Sequence, residues 1–176
     1  MRRGLAVLMF VAAIAGCSGS NAADPASSGS PGSTAAIPAE VACQWANVRS
    51  VTDGDTIRVD FEGGAANQPV RYIGIDAPET VKPDTPVQPF GPEASRENSR
   101  LVAGKRLCLE KDASERDRYD RFLRYAWLAD GTMVNEALVS AGLATVDTFP
   151  PDVKYVERFT AAQAAARRAA RGMWAP

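Results

Sequence analysis

Apolar and polar positions begin to alternate soon after residue 41. Ile57, Val59 and Phe61 fall on one face of a strand and Arg58 and Asp60 on the other, the period-two pattern of a half-buried strand. The stretch "EGGAANQ" (62–68) then reads as a hairpin loop, and a second strand follows at Val70–Ile75. Shorter apolar runs predict strands at Cys43–Val51, Arg106–Glu110 and Phe122–Leu128. Elsewhere the period lengthens to that of a helix. Pro92 opens "PEASRENSRLVAG", which Gly104 closes, and Thr132 precedes "MVNEALVSA" as a cap with Gly142 as its stop. A third helix, from about Asp152 to Gly172, places Val156, Phe159, Ala162, Ala166, Ala169 and Met173 at helical spacing. Arg167, Arg168 and Arg171 near its end read as a solvated face that complements the helix dipole. Short strands with helices between and after them predict an α+β fold, an OB-fold-like five-stranded barrel plus three helices.

The first forty residues carry neither period. Arg2 and Arg3 precede an apolar run from Leu5 to Ile14 that is too short to span a bilayer. "IAGC" then ends at Cys17 and resembles a bacterial lipobox, so residues 1–16 are expected to be a signal peptide and Cys17 a lipid anchor. An ordinary secretory signal cut nearby is the alternative. Residues 17–40, rich in Ser, Gly, Pro and Ala, are expected to form a disordered tether. The folded domain is then 41–176, working outside the cytoplasm at the outer face of a bacterial membrane or released from the cell.

With 176 residues and 45% hydrophobic content, the chain supports one core plus extensions. Removing the leader lowers Lys plus Arg from 20 to 18 against 21 Asp plus Glu, a formal charge of −3. Such a chain is not a generic polyanion binder, so any phosphate substrate must be met by a local site and a metal. The absence of histidine excludes Ser-His-Asp triads and imidazole-ligated zinc. Acid–base chemistry therefore falls to carboxylates. Cys43 and Cys108 remain after the anchor, and an exported pair is expected to form a disulfide.

Three polar clusters interrupt the apolar pattern. "TDGDT" (52–56) contains a turn signal and two acids, although an EF-hand beginning at Asp53 fails because Ile57 and Gly64 stand at ligand positions. "RYIGIDAPET" (71–80) sets Asp76 and Glu79 where a strand leaves the sheet. Arg71 shares strand parity with Ile73 and Ile75, so it points to the apolar face and needs a carboxylate or phosphate partner. An Arg71–Glu79 ion pair that merely pins the strand is the simpler alternative. "RDRYDRFLRYAW" (116–127) is by itself a charged hairpin loop.

Taken with "FGPEAS" and "MVNEALVSAGLA", these clusters occur in an order that resembles the staphylococcal nuclease (thermonuclease) family across most of 41–174. The resemblance implies an OB-like barrel with three helices and Ca²⁺-dependent hydrolysis of phosphodiester bonds in DNA or RNA. By motif it implies Asp55, Asp76 and the backbone carbonyl of Ala77 as calcium ligands and Glu79 as general base. Arg71 and Arg121 are implied as the phosphate-binding arginines. Glu79 either takes the proton from water or chiefly orients it. Asp120 stands where the family usually has glycine, and an acid there is expected to pair with Arg121 or weaken phosphate binding. Tyr119 is implied as a substrate contact. Phe149 is the one aromatic residue in "ATVDTFPPD", where the best-known relative presents tyrosines beside the base. The competing reading is a catalytically inactive OB-type lipoprotein that binds nucleic acid or protein. Nothing in the chain demands more than a monomer.

Overall fold

In the computed structural model, residues 36–80 and 86–176 are described. The expected signal peptide, Cys17 and most of the tether lie outside the described residues. Among the described residues, Ile37 and Val41 already pack against the core, and the Val41 N–H donates to the Pro38 carbonyl at 3.0 Å.

The strands run β1 (Cys43–Val51), β2 (Thr56–Phe61), β3 (Gln68–Tyr72), β4 (Ile75–Asp76), β5 (Arg106–Glu110), β6 (Phe122–Trp127) and β7 (Thr145–Val146). Three helices, α1 (Gly91–Val102), α2 (Val134–Ser140) and α3 (Val156–Arg168), interleave with and follow them. A closed barrel forms in the order β1-β2-β3-β6-β5, with β4 and β7 as a separate antiparallel pair. The long β1 closes the barrel because it pairs with β2 through one part of its length and with β5 through the other. Its pairing with β2 shifts register between Val48 and Ser50, the local bend a bulge introduces. Ile57, Val59, Val70, Leu107, Leu109 and Ala126 fill the interior, while Trp127 is buried on the opposite face of β6 against Tyr155.

The predicted strand 70–75 is in fact two strands. Gly74 has φ +78°, which L-residues rarely adopt, and the turn it makes separates β3 from β4. A Cβ at this position would also lie 2.9 Å from the Phe159 ring of α3. Within β3 the buried residues are Val70 and Tyr72, so Arg71 points away from the barrel interior. Its parity with Ile73 and Ile75 ends at the turn.

The helix ends differ modestly from expectation. Met133 rather than Thr132 is the N-cap of α2, and no side chain caps it. α3 begins at Val156 because the residues before it serve the barrel: the Asp152 carboxylate accepts the Ser114 N–H at 2.8 Å, and the Lys154 ammonium pairs with Glu110. Arg167, Arg168 and Arg171 are exposed, as a solvated face requires.

Cys43 on β1 is bonded to Cys108 on β5, with Cα atoms 5.3 Å apart and 65 residues of sequence separation. Closing a loop of that length removes chain entropy worth ~4 kcal/mol from the unfolded state. Reduction is therefore expected to shift the urea midpoint down by an amount equivalent to ~4 kcal/mol. Equal midpoints with and without reductant would remove the bond from the stability account.

Candidate active site

The cleft is assembled where three turns meet at one end of the barrel. Asp55 ends the turn that leads into β2, and the Asp53 carboxylate shapes that turn by accepting the Asp55 N–H at 3.0 Å. Gly54 is required between them. A Cβ there would sit 2.5 Å from the Ala77 Cβ and 2.7 Å from the Ala94 Cβ of α1, so only glycine lets the turn, the β4 exit and the helix meet. Asn98 of α1, fully buried, clamps the arrangement by donating to the Asp53 carbonyl at 2.9 Å and accepting from the Tyr72 hydroxyl at 3.0 Å.

Arg71 is the centre of the charge pattern. Its guanidinium pairs with Asp55 and, at 2.7 Å, with Asp76, and it donates to the Ile75 carbonyl at 3.1 Å. The ion pairs that hold the strand end are thus with these two aspartates. Asp55 is 3% exposed, and a buried carboxylate persists in charged form only when paired and hydrogen-bonded. Its other contacts meet that need: the Ala77 N–H donates to it at 2.7 Å and the Thr56 hydroxyl at 3.0 Å. Burial pushes the Asp53 carboxyl above the ordinary aspartate range. The Arg71 charge opposes this, and the nearby Glu79 charge adds to it.

Glu79 is half-buried and held through its backbone. Its N–H donates to the Gln88 side-chain oxygen at 2.9 Å, while the Gln88 N–H returns a bond to the Glu79 carbonyl at 2.9 Å. The Thr80 N–H donates to the Glu79 carboxylate at 2.9 Å.

Arg121 approaches from the loop between β5 and β6, and Asp117 organises that loop. Its carboxylate accepts the N–H groups of Tyr119 at 2.9 Å and Arg121 at 3.0 Å, and the Arg121 guanidinium at 2.7 Å. Burial pushes the Asp117 carboxyl up, but these bonds outweigh it and hold the group below the ordinary range. Asp120 takes φ +64°, which explains why glycine suits this position and why aspartate, tolerant of the left-handed region, can replace it. Its carboxylate turns to Arg116 at 3.3 Å and is 86% exposed. The expected Asp120–Arg121 pairing is therefore replaced by Asp117–Arg121.

Asp55, Arg71, Asp76, Ala77, Glu79 and Arg121 line one cleft of about 700 Å³, with Tyr119 also on its wall. The Thr56 hydroxyl, 3.5 Å from the Arg121 guanidinium, links the two arginines through Asp55. Sequence reasoning missed Asp117, Gln88 and Asn98. Of these only Asp117 carried a local signal, an acid two and four residues before the N–H groups it accepts. It also missed Asp147, whose carboxyl is pushed up by burial and then by the Asp76 charge, with Arg71 opposing.

The set can hold a hard cation only in a limited way. Among the described residues no group of three or more Asp, Glu, His or Cys side chains stands in a metal-ligating arrangement. Two carboxylates nevertheless converge on one positive charge, the Arg71 guanidinium. Oxygen donors of this kind suit calcium, which completes its shell with backbone carbonyls and water.

A family profile described as staphylococcal nuclease homologue matches residues 69–176. The thermonuclease of Staphylococcus hyicus is 46% identical over 131 residues, 74% of this chain and 76% of the relative. That of Staphylococcus intermedius is 42% identical over 127 residues, 72% of this chain and 74% of the relative. An SPbeta prophage-derived endonuclease of Bacillus subtilis is 41% identical over 124 residues, 69% of this chain and 41% of the relative. The profile begins after Asp55, so Asp55 is tied to the cleft by its contacts with Arg71 and Ala77.

Proposed function

Because the chain belongs to the staphylococcal nuclease family and is a nuclease, we propose that it hydrolyses phosphodiester bonds of DNA or RNA in a calcium-dependent reaction outside the cytoplasm. The observation that carries this reading is the convergence of Asp55, Asp76, Glu79, Arg71 and Arg121 on one cleft. A phosphodiester is anionic, and the four carboxylates of the cleft (Asp53, Asp55, Asp76 and Glu79) against its three arginines (Arg58, Arg71 and Arg121) leave it negative by one charge. Substrate binding then needs a cation.

Asp55 and Asp76, with the Ala77 carbonyl, are the residues to hold it. When bound, calcium supplies positive charge for a phosphate oxygen and neutralises the carboxylates. The chain's own residues do the rest. Glu79 takes a proton from a water whose oxygen attacks phosphorus in line, and the P–O bond opposite breaks, its oxygen leaving as a hydroxyl with a proton from solvent. Arg71 and Arg121 present planar pairs of donors to the equatorial oxygens, where negative charge grows in the five-coordinate transition state. Water orientation alone is the weaker role for Glu79. The backbone bonds to Gln88 fix the carboxylate's origin for either role, and the pH profile of kcat distinguishes them.

Within this reading Asp117 is a positioning residue for Arg121. Asp117→Ala is expected to lower kcat by roughly tenfold to a hundredfold, the scale of a misplaced transition-state donor. Asp120→Gly, whose carboxylate faces Arg116, is expected to change it by less than about twofold. Equal losses in both variants would dissolve the assignment.

Export and a lipid on Cys17 belong to the same proposal, supported by the charged-then-apolar leader, the lipobox-like sequence and the Cys43–Cys108 bond. The enzyme acts as a monomer. Wild-type protein should cleave single-stranded DNA, duplex DNA or RNA with calcium, stop on chelation and resume when calcium is restored. Cys17→Ser should move the protein from the membrane fraction to the soluble one. Undiminished cleavage in chelator would refute the calcium reading, and an unchanged distribution of Cys17→Ser would refute the anchor.

A further inference from the structure

A second pocket of about 420 Å³ adjoins the cleft and shares Arg71, Tyr119 and Arg121 with it. A nucleotide whose phosphate rests on the two arginines has its sugar and base beside that phosphate, and this pocket is a space within reach of one of the flanking bases. Its volume lies in the range of small-molecule sites. Ile73 and Leu123 give it an apolar lining, and Tyr119 and Phe149, 64% and 70% exposed, offer ring faces at its edge. Aromatic faces stack on any base and do not choose among them. Choice must come from polar groups.

Three carboxylates line the pocket, and two are already engaged. Asp117 holds Arg121 and its loop, and Asp152 accepts the Ser114 N–H at 2.8 Å. The Asp147 carboxylate accepts no hydrogen bond from another described residue, although its backbone is fixed: its N–H donates to the Gly74 carbonyl at 3.1 Å, directly after the β4–β7 ladder. An ionised carboxylate only accepts hydrogen bonds. Among the bases, guanine alone presents two adjacent donors, N1–H and the N2 amino group, on its Watson–Crick edge. Adenine and cytosine offer one amino group beside an acceptor nitrogen. Thymine and uracil flank N3–H with two carbonyl oxygens that a carboxylate repels.

We propose that Asp147 is a specificity-determining residue that makes this nuclease prefer guanine at the nucleotide next to the scissile phosphate. The inference rests on the nuclease reading above. Its test uses full-chain enzyme with calcium at pH 8, above the ordinary carboxylate range. Random-sequence single-stranded DNA is digested briefly and the product ends are sequenced. A bidentate base contact discriminates by ~5- to 150-fold, so guanine should exceed thymine at one position flanking the cut by a factor in that range. Asp147→Asn should bring the ratio close to one by slowing cleavage at guanine-flanked sites, while the rate at thymine-flanked sites stays within about threefold and the calcium half-saturation is unchanged. Asp147→Glu, which keeps the acceptor, should retain a guanine preference and guards against a misfolded Asn variant. A base ranking that is flat in wild type, or unaltered by Asp147→Asn, overturns the proposal. So does a tenfold rise in calcium half-saturation in Asp147→Asn, which would make Asp147 part of the metal site. No cleavage by folded wild type would instead overturn the reading beneath it.

Discussion

Arg71→Gln is expected to lower kcat by ~10²- to 10³-fold, the loss seen when one preorganised transition-state donor is removed, while tightening calcium binding. The two effects have one cause. Without the cation, Arg71 is the positive charge on which Asp55 and Asp76 converge, and its side chain is 16% exposed. It therefore competes with calcium for the carboxylates that would hold the ion. Removing that competitor should improve calcium affinity by about tenfold, a step of ~1.4 kcal/mol. The same change leaves Asp55 buried with only neutral donors, so the calcium-free variant should lose ~3 to 5 kcal/mol of stability. Calcium should restore much of it by mass action. Calorimetric titration and urea unfolding with and without calcium check both signs. Weaker calcium binding in Arg71→Gln would mean that the arginine supports the metal site instead of competing with it.

Glu79→Gln is expected to lower kcat by at least ~10²-fold, the contribution of a positioned general base. The substitution is nearly isosteric, and the bonds with Gln88 run through the backbone of residue 79, so unfolding midpoints should stay close to wild type. The pH profile separates proton abstraction from water orientation. A general base must be ionised to work, so wild-type kcat should fall as the pH drops through its pKa, and Glu79→Gln should lack that limb. A variant that keeps the limb assigns it to another group and leaves Glu79 an orienting role.

Much of this architecture was legible before any coordinates. The bounds of β1 and β5 match the predicted ones residue for residue, and β5 is bracketed by the charged Lys105 and Lys111. The barrel and its three helices followed from the change of period along the chain. What stayed hidden depended on contacts or turns that no period encodes. Gly74 split an apolar run that reads as continuous, and with it went the parity argument for Arg71. The acids at 55, 76 and 79 were individually visible, but their meeting point needed Gly54 to bring the β2 turn against Ala77 and α1. Within "RDRYDR" the charges are too dense for sequence alone to pair, and the left-handed backbone at Asp120 decided that Asp117, not Asp120, would hold Arg121. Asp147 reached the site through the pairing of β4 with β7, strands of two residues each that fall below any pattern threshold.

The most direct measurement is a calcium titration of metal-free wild-type enzyme in which bound calcium and the initial rate of DNA cleavage are followed together. One equivalent of calcium should bind, and activity should rise from background with the same half-saturation as binding. Full activity before any calcium is bound, or saturation of the protein without a rise in rate, would contradict a site in which Asp55 and Asp76 hold a cation against the phosphate.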